Sequence, residues 1–367
     1  MAKFEFIGLT FGVLSVLVFV HCINALDLKK CYIDKIYQLG DSLSDTGNYI
    51  RESSGGAQSV YARLPYGQDF YGKKSTGRCS NGLLIIDYIA MASGLPYLNP
   101  YQDRDADFRK GNNFATAGAT ALPVQFLKDK NISSPFTSTS LDVQLDWMFT
   151  HFNSICLRDC KELLKNSLFL VGEIGVNDYG FALMQGKTLQ QTYSLVPDVV
   201  FAIQKAIRSV IEYGAVRIVV PGIFPTGCGA IILTKFTGPY DEYNCLKEFN
   251  DFAKYHNQKL QVAIEEVKKE HPNVIIVYGD YYTPYLSILR DASRLGFDPA
   301  NALKACCGTG GKYNFNLRTS CGNPGVPVCA SPQRYLNWDG IHLTQEAYKD
   351  LAQSLIQQIY PHIKCTN

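Results

Sequence analysis

Runs of consecutive apolar residues alternate with stretches of helical periodicity along most of this chain. Strands that read as continuous β-branched and apolar runs are buried on both faces, which is typical of parallel sheets connected by helices. We predict one doubly wound α/β domain from residue 26 to residue 367. The predicted strands lie at residues 35–39 and in NSLFLVGEIG, AVRIVVPG and NVIIVYGD, and the predicted helices lie in NGLLIIDYIAMASG, at 189–213, at 241–270 and after the N-cap Thr344.

The charge balance of the chain excludes one large class of partners. The 367 residues carry a formal net charge of +2, and 19% of them are charged. A chain of this length can bury a large core. No basic run or face for nucleic acid is present, so we expect no nucleic-acid partner.

The N-terminus reads as a targeting segment. Lys3 is followed by an almost wholly apolar run from Phe6 to Val20. This pattern is typical of a secretory signal peptide, with Ala25 before the cut, although Ile23 is a poor match at the third position before it. An uncleaved membrane anchor is the alternative, but the run is short for a bilayer span. We predict that residues 1–25 are removed and that the mature chain is not inserted in a membrane.

The cysteines also indicate secretion. Of the 12 cysteines, Cys22 would leave with the signal peptide, and an odd number would remain. That number fits up to five disulfides and one free thiol in an oxidising compartment. Zinc is the competing explanation, but CLRDC (residues 156–160) and ACCG (residues 305–308) lack a second pair at finger-like spacing and nearby histidines. We therefore predict disulfides and no metal.

The tripeptide NIS at Asn131 is the N-x-S/T sequon of this chain. In a secreted protein such a sequon is an acceptor for N-glycosylation. We predict that Asn131 is glycosylated in the secretory pathway, with the extracellular space (the apoplast) or the vacuole as the destination.

The stretch GDSLSDTGN, residues 40–48, directly follows the first predicted strand. Gly, Asp, Ser and Asn are the usual turn formers, so a plain turn is one interpretation. The other is that a serine is presented at the carboxyl end of a strand, where open α/β sheets hold their active sites. This stretch alone does not decide between them.

A serine nucleophile needs a base to accept its proton and a carboxylate to orient that base. His342 follows Asp339 by three residues in NWDGIHLT, so one loop supplies both groups. Trp338 and Gly340 favour a fixed, non-helical loop, although such a pair is also typical of a helix cap beside a surface histidine. We expect the remaining histidines of the mature chain to be surface or partly buried structural residues: His151, His256, His271 and His362.

An enzyme that forms a tetrahedral oxyanion also needs hydrogen-bond donors. NNFATAGATAL places Gly118 in a loop of small residues, where a backbone N–H can approach a substrate. GEIGVNDYG places Asn177 just after a predicted strand, where its amide can donate. Taken singly, Gly118 is better explained by a tight turn and Asn177 by a helix cap.

Taken together, these blocks resemble the GDSL esterase/lipases of the SGNH-hydrolase superfamily, in their secreted plant branch. The resemblance covers essentially the whole mature chain. It runs in order through GDSLSDTGN, NFATAGATAL, GVND, VVPGIFPTGC, CCGTGGKYN and WDGIHLT.

The resemblance implies a flavodoxin-like α/β/α sandwich with a central parallel sheet. It implies that Ser42 is the nucleophile, His342 the general base and Asp339 the acid that orients it. The oxyanion donors would be the backbone N–H of Ser42 together with Gly118 and Asn177. The family needs no metal and no organic cofactor for this reaction.

The neighbours of Ser42 are assigned supporting roles. Ser44 belongs to no block of its own, so we expect it to form a local hydrogen bond. Asp41 and Asp45 are alternative acids, but their position in the turn favours capping of its backbone.

The implied reaction is acyl transfer to water through an acyl-enzyme, with a small-molecule ester as the partner. The opening of the domain and VVPGIFPTGC resemble the group that contains acetylajmalan esterase and sinapine esterase. That implies an ester of a plant specialised metabolite, such as an acetylated alkaloid, rather than a triglyceride. An acyltransferase with the same triad and a non-catalytic secreted binding glycoprotein are the alternatives. The acyl group, the alcohol, the disulfide pairing and the oligomeric state stay open.

Overall fold

The fold is built on one parallel sheet, seen in a computed structural model that describes residues 27–156 and 160–365. Its five strands pair in the order β2-β1-β3-β4-β5, and every pairing is parallel. The predicted α/β class with a central parallel sheet is therefore confirmed. The strands are β1 (Lys35–Leu39), β2 (Gly111–Asn113), β3 (Ser167–Val171), β4 (Arg217–Pro221) and β5 (Ile275–Gly279).

Helices cover the sheet and its edges. The α-helices are α1 (Tyr49–Glu52), α2 (Ser54–Gln58), α3 (Ile85–Ala92), α4 (Val124–Asp129), α5 (Leu141–Ile155), α6 (Cys160–Leu164), α7 (Val176–Met184), α8 (Leu189–Tyr193), α9 (Val196–Tyr213), α10 (Ala230–Lys235), α11 (Lys247–Glu270), α12 (Tyr282–Arg290) and α13 (Gln345–Ile359). Short 3₁₀ turns lie at Leu28–Cys31, Val60–Ala62, Thr226–Cys228, Pro299–Asn301 and Pro332–Arg334.

The strands are buried on both faces because successive side chains point to opposite layers. Tyr37 and Phe169 pack in one layer with side chains of α5, α9 and α11. Ile36 and Leu168, one residue earlier in their strands, pack in the other layer with side chains of α3, α12 and α13. This two-sided burial explains why the strands read as continuous apolar runs rather than alternating ones.

The strand order contains one reversal, between β1 and β3. Strand β1 pairs with β2 on one side and with β3 on the other, so the chain reverses its winding direction between β1 and β3. In open α/β sheets, ligands bind outside the carboxyl ends of the strands at such a reversal. The loop after β1 contains GDSLSDTGN, and the loop after β3 contains GEIGVND.

Two predicted helices have different bounds in the structure. The helix predicted at 189–213 is interrupted, because α8 ends at Tyr193 and α9 begins at Val196. Pro197 lies in the first turn of α9, where a residue without an N–H fits the start of a helix.

The helix predicted at 241–270 begins only at Lys247. The carboxylate of Asp241 accepts the N–H groups of Tyr243 at 2.9 Å and Cys245 at 3.0 Å, which holds a turn there. Cys245 is also bonded to Cys228, so these residues are held outside the helix.

Ten cysteines form five disulfides, as predicted, and Cys79 is the free, buried thiol within the described residues. Cys31–Cys365 joins two residues that are 334 positions apart, near the two ends of the described chain. The remaining disulfides are Cys156–Cys160, Cys228–Cys245, Cys306–Cys329 and Cys307–Cys321.

The predicted signal peptide, residues 1–25, lies outside the described residues. In the part of the chain that is described, no helix combines the length and the apolar character needed to cross a bilayer.

Candidate active site

The loop after β1 is fixed by side chains from elsewhere in the fold. Gln144, on α5, clamps Gly40 by accepting its N–H at 2.8 Å and donating to its carbonyl at 2.7 Å. The N–H of Asp41 donates to the carbonyl of Glu173 at 3.2 Å, which ties this loop to the one after β3. Ser42 therefore leaves the sheet on a backbone that is held on both sides.

The polar neighbours of Ser42 form hydrogen bonds within the loop. Asp41 accepts the N–H of Leu43 at 3.0 Å, and Ser44 accepts a hydrogen bond from Gln38 at 3.2 Å. Asp45 accepts four backbone N–H groups, from Gly47, Asn48, Tyr49 and Ala117. These contacts agree with the capping and local hydrogen bonding expected of the three side chains.

The structure brings together Ser42, His342 and Asp339. The Ser42 Oγ lies 2.8 Å from Nε2 of His342, although the two residues are 300 positions apart. On the other side of the ring, Nδ1 lies 2.7 Å from Oδ2 of Asp339. In the tautomer with the proton on Nδ1, the imidazole donates to the carboxylate and its Nε2 is free to accept the Ser42 proton.

The loop that carries the pair is closed on itself. Oδ1 of Asp339 accepts the N–H groups of Ile341 at 3.0 Å and His342 at 2.8 Å, and the N–H of Trp338 donates to the carbonyl of His342 at 2.8 Å. Burial by itself would raise the pKa of Asp339. The positive charge of His342 and the hydrogen bonds that the carboxylate accepts outweigh burial and hold that pKa below its usual value.

Gly340 has to be a glycine in this loop. Its φ is +93°, in the left-handed region, and a Cβ there would lie 2.3 Å from the ring of Phe315. This close contact packs the loop between Asp339 and His342 against the aromatic side chain.

Three candidate donors follow the strands β1, β2 and β3 in turn: the backbone N–H groups of Ser42 and Gly118 and the side-chain amide of Asn177. The side-chain amide of Asn177 donates to the carbonyl of Ala119 at 2.9 Å and lies 3.3 Å from Oδ2 of Asp41, so it bridges the loops that carry Gly118 and Ser42. In residues 27–156 and 160–365, the backbone N–H groups of Ser42 and Gly118 have no protein acceptor. Gly118 itself has a φ of +84°, so the turn interpretation of this glycine also holds.

Two other histidines are more buried than predicted. The side chain of His256 is fully buried in α11, where Nδ1 lies 2.8 Å from the hydroxyl of Tyr179. His151 is buried beside Tyr37 and Phe108. Burial lowers the pKa of His256 to about 3 and that of His151 to about 4, so both rings are neutral core residues. The expectation of surface or partly buried positions was wrong for these two, because their helices face the sheet.

Two residues near the site were not found from the sequence. The hydroxyl of Tyr66 donates to Oδ2 of Asp339 at 2.7 Å across 273 positions, and no local pattern indicates this contact. Glu173 lies in the loop after β3, and both its carboxyl oxygens are buried without a hydrogen-bond partner in the described part of the protein. Its position in GEIGVND was the only signal available.

Several buried carboxyl groups near Ser42 have raised pKa values. Burial raises the pKa of Asp41 to about 7, that of Asp178 to about 7 and that of Asp45 to about 6. Burial, with a smaller effect of the charge of Asp41, raises the pKa of Glu173 well above its usual value. Asp178 accepts the backbone N–H groups of Ala121 and Leu122 at 2.8 and 3.0 Å, whereas the carboxyl oxygens of Glu173 have no comparable partner in the described residues. A charged Glu173 is therefore the less well compensated of the two.

Comparisons with known proteins identify the class to which this geometry belongs. The model of the GDSL-like lipase/acylhydrolase family matches residues 36–355. The chain therefore belongs to that family, whose members are hydrolases that act on ester bonds.

Individual relatives agree with this assignment. Acetylajmalan esterase 1 of Rauvolfia serpentina is 42% identical over 92% of this chain and 89% of that protein. Acetylajmalan esterase 2 of the same species is 44% identical over 92% and 93%, and GDSL esterase/lipase At5g45910 of Arabidopsis thaliana is 42% identical over 88% and 90%. Among solved structures, phospholipase A1 from Streptomyces albidoflavus NA297 is 12% identical, covers 90% of this chain and 97% of its own, and has a TM-score of 0.32, which is too low to support an inference.

The buried carboxyl groups predict how stability depends on pH. Carboxyl groups with raised pKa values bind more protons in the folded than in the unfolded chain, so their contribution to the free energy of unfolding falls as pH rises from about 4 to about 7. The buried His151 and His256 act in the opposite direction below about pH 6.5, because they gain protons on unfolding, but the carboxyl groups with raised pKa values outnumber them. We expect the thermal midpoint to fall between about pH 5 and about pH 8. Glu173→Gln should flatten that fall and raise the midpoint by roughly 2–4 °C per kcal/mol gained at the higher pH.

Differential scanning calorimetry at the two pH values measures this effect. The exposed Glu212→Gln is the matched control and should keep the pH dependence of the wild type. If Glu173→Gln loses stability with pH as steeply as the wild type, Glu173 does not carry the effect.

Proposed function

We propose that this protein is a serine carboxylesterase that hydrolyses a small acyl ester, an acetyl ester in particular, of a plant specialised metabolite such as an alkaloid. The observation that carries the proposal is the continuous hydrogen-bonded line from Ser42 Oγ through His342 to Asp339. The reaction would proceed through an acyl-enzyme on Ser42.

In the first half of the reaction, His342 Nε2 accepts the proton of Ser42 as Oγ attacks the ester carbonyl carbon. The carbonyl π electrons move to oxygen, and the N–H groups of Ser42 and Gly118 would donate to that oxyanion. The amide of Asn177 would donate to it as well, in place of its longer contact with Asp41. Asp339 stabilises the imidazolium that forms. The tetrahedral intermediate then collapses, and the alcohol leaves with the proton of His342.

In the second half, a water molecule replaces the alcohol. His342 accepts one proton of the water as its oxygen attacks the acyl carbon, and the same donors hold the second oxyanion. Collapse breaks the bond between the acyl carbon and Ser42 Oγ, which takes the proton back from His342. The products are a carboxylic acid and the free enzyme, and side chains of this chain carry every proton transfer.

The choice of substrate is supported by the relatives and by one side chain. Two relatives at 42% and 44% identity are named as acetylajmalan esterases. In this chain, Phe136 packs closely against Gly118. A Cβ added to that glycine would lie only 2.7 Å from the Cβ of Phe136. The ring of Phe136 is 52% exposed and lies 5.8 Å from that of Phe181. An exposed aromatic ring beside the oxyanion donors offers flat contact area to a cyclic substrate.

Removal of Ser42 Oγ tests the proposal directly. We expect the wild type to hydrolyse p-nitrophenyl acetate faster than the butyrate or octanoate esters, and to release acetate from an O-acetylated alkaloid. Ser42→Ala should lower kcat by about 10⁴-fold or more, because no nucleophile remains. Ser44→Ala, which removes a hydroxyl from the same loop, should keep most of the activity and is the matched control.

Two results would contradict the proposal. One is substantial hydrolysis by Ser42→Ala, which would remove the nucleophile assignment. The other is product analysis that finds the acyl group transferred to an added alcohol in preference to water, which would make the protein an acyltransferase.

The oxyanion donors give a second prediction. Asn177→Ala should lower kcat by roughly 10²–10³-fold, because an oxyanion donor acts on charge that develops only in the transition state. KM should change little for the same reason. Steady-state kinetics with p-nitrophenyl acetate measures both constants, and thermal melting shows whether the variant is folded. A folded variant that keeps the wild-type kcat would exclude Asn177 from this role.

Secretion and glycosylation belong to the same proposal. Five disulfides are typical of chains that fold in an oxidising compartment, and we propose the apoplast or the vacuole as the destination. Asn131 is exposed, has a φ of 55° and lies two residues after the end of α4. Its side chain is therefore accessible to a glycan.

Expression in a secreting plant host tests the sequon. Peptide-N-glycosidase treatment should reduce the mass of the wild type by one glycan. Asn131→Gln and Ser133→Ala should show no such reduction, whereas Ser133→Thr should keep it, because threonine also completes the sequon. An unchanged wild-type mass after treatment would show that Asn131 carries no glycan.

A further inference from the structure

Asp339 has one hydrogen-bond donor that the reaction described above does not use. Its Oδ2 accepts two hydrogen bonds at 2.7 Å, one from Nδ1 of His342 and one from the hydroxyl of Tyr66. Its Oδ1 accepts the two backbone N–H groups of Ile341 and His342. Of these donors, Tyr66 is the only one from outside the loop at 339–342.

We propose that Tyr66 is a positioning residue for the reaction, whose hydroxyl fixes the Asp339 carboxylate and thereby the orientation and basicity of His342. This inference rests on the proposed function of Ser42. The hydrogen bond of the Tyr66 hydroxyl goes to Asp339, so we propose that its effect on His342 passes through that carboxylate.

The ring of Tyr66 is itself held in place. It is 2% exposed, and it meets the ring of Tyr61 at 4.9 Å and that of Trp338 at 6.1 Å, each nearly edge to face. Tyr61 also meets the His342 ring edge to face at 5.9 Å. Tyr66 thus belongs to an aromatic cluster that contacts both the base and the residue before the acid, and its hydroxyl has little freedom to leave Asp339.

Two disulfides support the same cluster. Tyr66 and Trp338 pack with Cys306, Cys307 and Cys321 in one hydrophobic group. The N–H of Cys307 donates to the carbonyl of Trp338 at 2.7 Å, directly before Asp339 in the chain. The segment closed by Cys306–Cys329 and Cys307–Cys321 therefore holds the backbone on one side of Asp339, and Tyr66 holds the carboxylate on the other.

The electrostatics make Tyr66 a donor at every working pH. Burial, together with the negative charge of Asp339, raises the pKa of Tyr66 well above its usual value, so the phenol stays protonated. Asp41 interacts with the charge of His342, and burial raises the pKa of this carboxyl to about 7. The phenols and the thiol that also interact with Asp339 are kept neutral, since loss of hydration raises their pKa values. These groups are Tyr61, Cys79 and Tyr348.

A phenol that donates to Oδ2 draws electron density from the oxygen that also accepts from His342. Loss of the phenol should therefore strengthen the attraction between Asp339 and the imidazolium and favour the protonated form of His342. It should also leave the carboxylate free to turn away from its best geometry. The first effect moves the acid limb of the pH profile, and the second lowers the rate of proton transfer.

Tyr66→Phe tests the proposal, since it removes one oxygen and keeps the ring in its cluster. We expect kcat for p-nitrophenyl acetate to fall about tenfold with little change in KM, and the acid limb of kcat/KM to move to higher pH by several tenths of a unit. Tyr37→Phe is the matched control. It removes another buried hydroxyl, one without a hydrogen-bond partner in the described residues, and should leave the pH profile unchanged.

A second readout needs no substrate. The hydrogen-bonded Nδ1 proton of His342 should give a far-downfield signal in the proton NMR spectrum, and this signal should move in Tyr66→Phe but not in Tyr37→Phe. If the signal and the pH profile of Tyr66→Phe both match the wild type, the positioning role is wrong while the proposed esterase stands. If the wild type hydrolyses no ester, the proposed function fails, and the NMR signal still decides whether Tyr66 acts on the pair.

Discussion

The hydrogen bond between His342 Nδ1 and Asp339 Oδ2 is the contact on which the geometry of the site depends. A buried carboxylate is costly unless it is well hydrogen-bonded. Asp339 accepts from two side chains on Oδ2 and from two backbone N–H groups on Oδ1. These four hydrogen bonds replace the water that the carboxylate loses on burial, and with the charge of His342 they keep its pKa below the usual value. A charged and immobile Asp339 in turn leaves His342 with one defined nitrogen facing Ser42.

The parallel sheet supplies the rest of the arrangement. Strands β1 and β3 are neighbours whose carboxyl ends lie at one edge, so the loops that contain Ser42 and Asn177 meet there although they are far apart in sequence. The contact of Asn177 with Asp41 and the contact of Asp41 with the carbonyl of Glu173 join these two loops. Several carboxyl groups are buried beneath these loops, and burial raises their pKa values, with smaller contributions from one another's charge.

Much of this architecture could be predicted from the sequence, because apolar runs and helix caps are local sequence patterns. Four of the strands are continuous apolar runs, and the start of α13 is capped by Thr344 as expected, with its hydroxyl accepting the N–H of Ala347. Strand β2 could not be found, because its residues are Gly111, Asn112 and Asn113 and only the edge of β1 makes them a strand.

Some residues of the candidate site could likewise be predicted from the sequence, and others could not. Short, unusual blocks of sequence contain Ser42, Gly118, Asn177 and the Asp339–His342 loop. The structure joins Ser42, His342 and Asp339 by hydrogen bonds and brings Asn177 within 3.3 Å of Asp41. Contacts between single residues that are far apart in the chain produce no local sequence pattern. Tyr66 reaches Asp339 across 273 positions, and no periodicity or spacing encodes such a pair. The interrupted helix and the late start of α11 were missed for related reasons, since a proline and a disulfide override the periodicity there.

The most direct measurement is covalent labelling of the purified protein with a fluorophosphonate, which reacts with a serine only where a base and oxyanion donors activate it. The account predicts one phosphonyl group per chain by intact mass, located on Ser42 by fragmentation of the peptide that contains GDSLSDTGN. An adduct on Ser44, or ester hydrolysis that continues unchanged after complete labelling elsewhere, would contradict it.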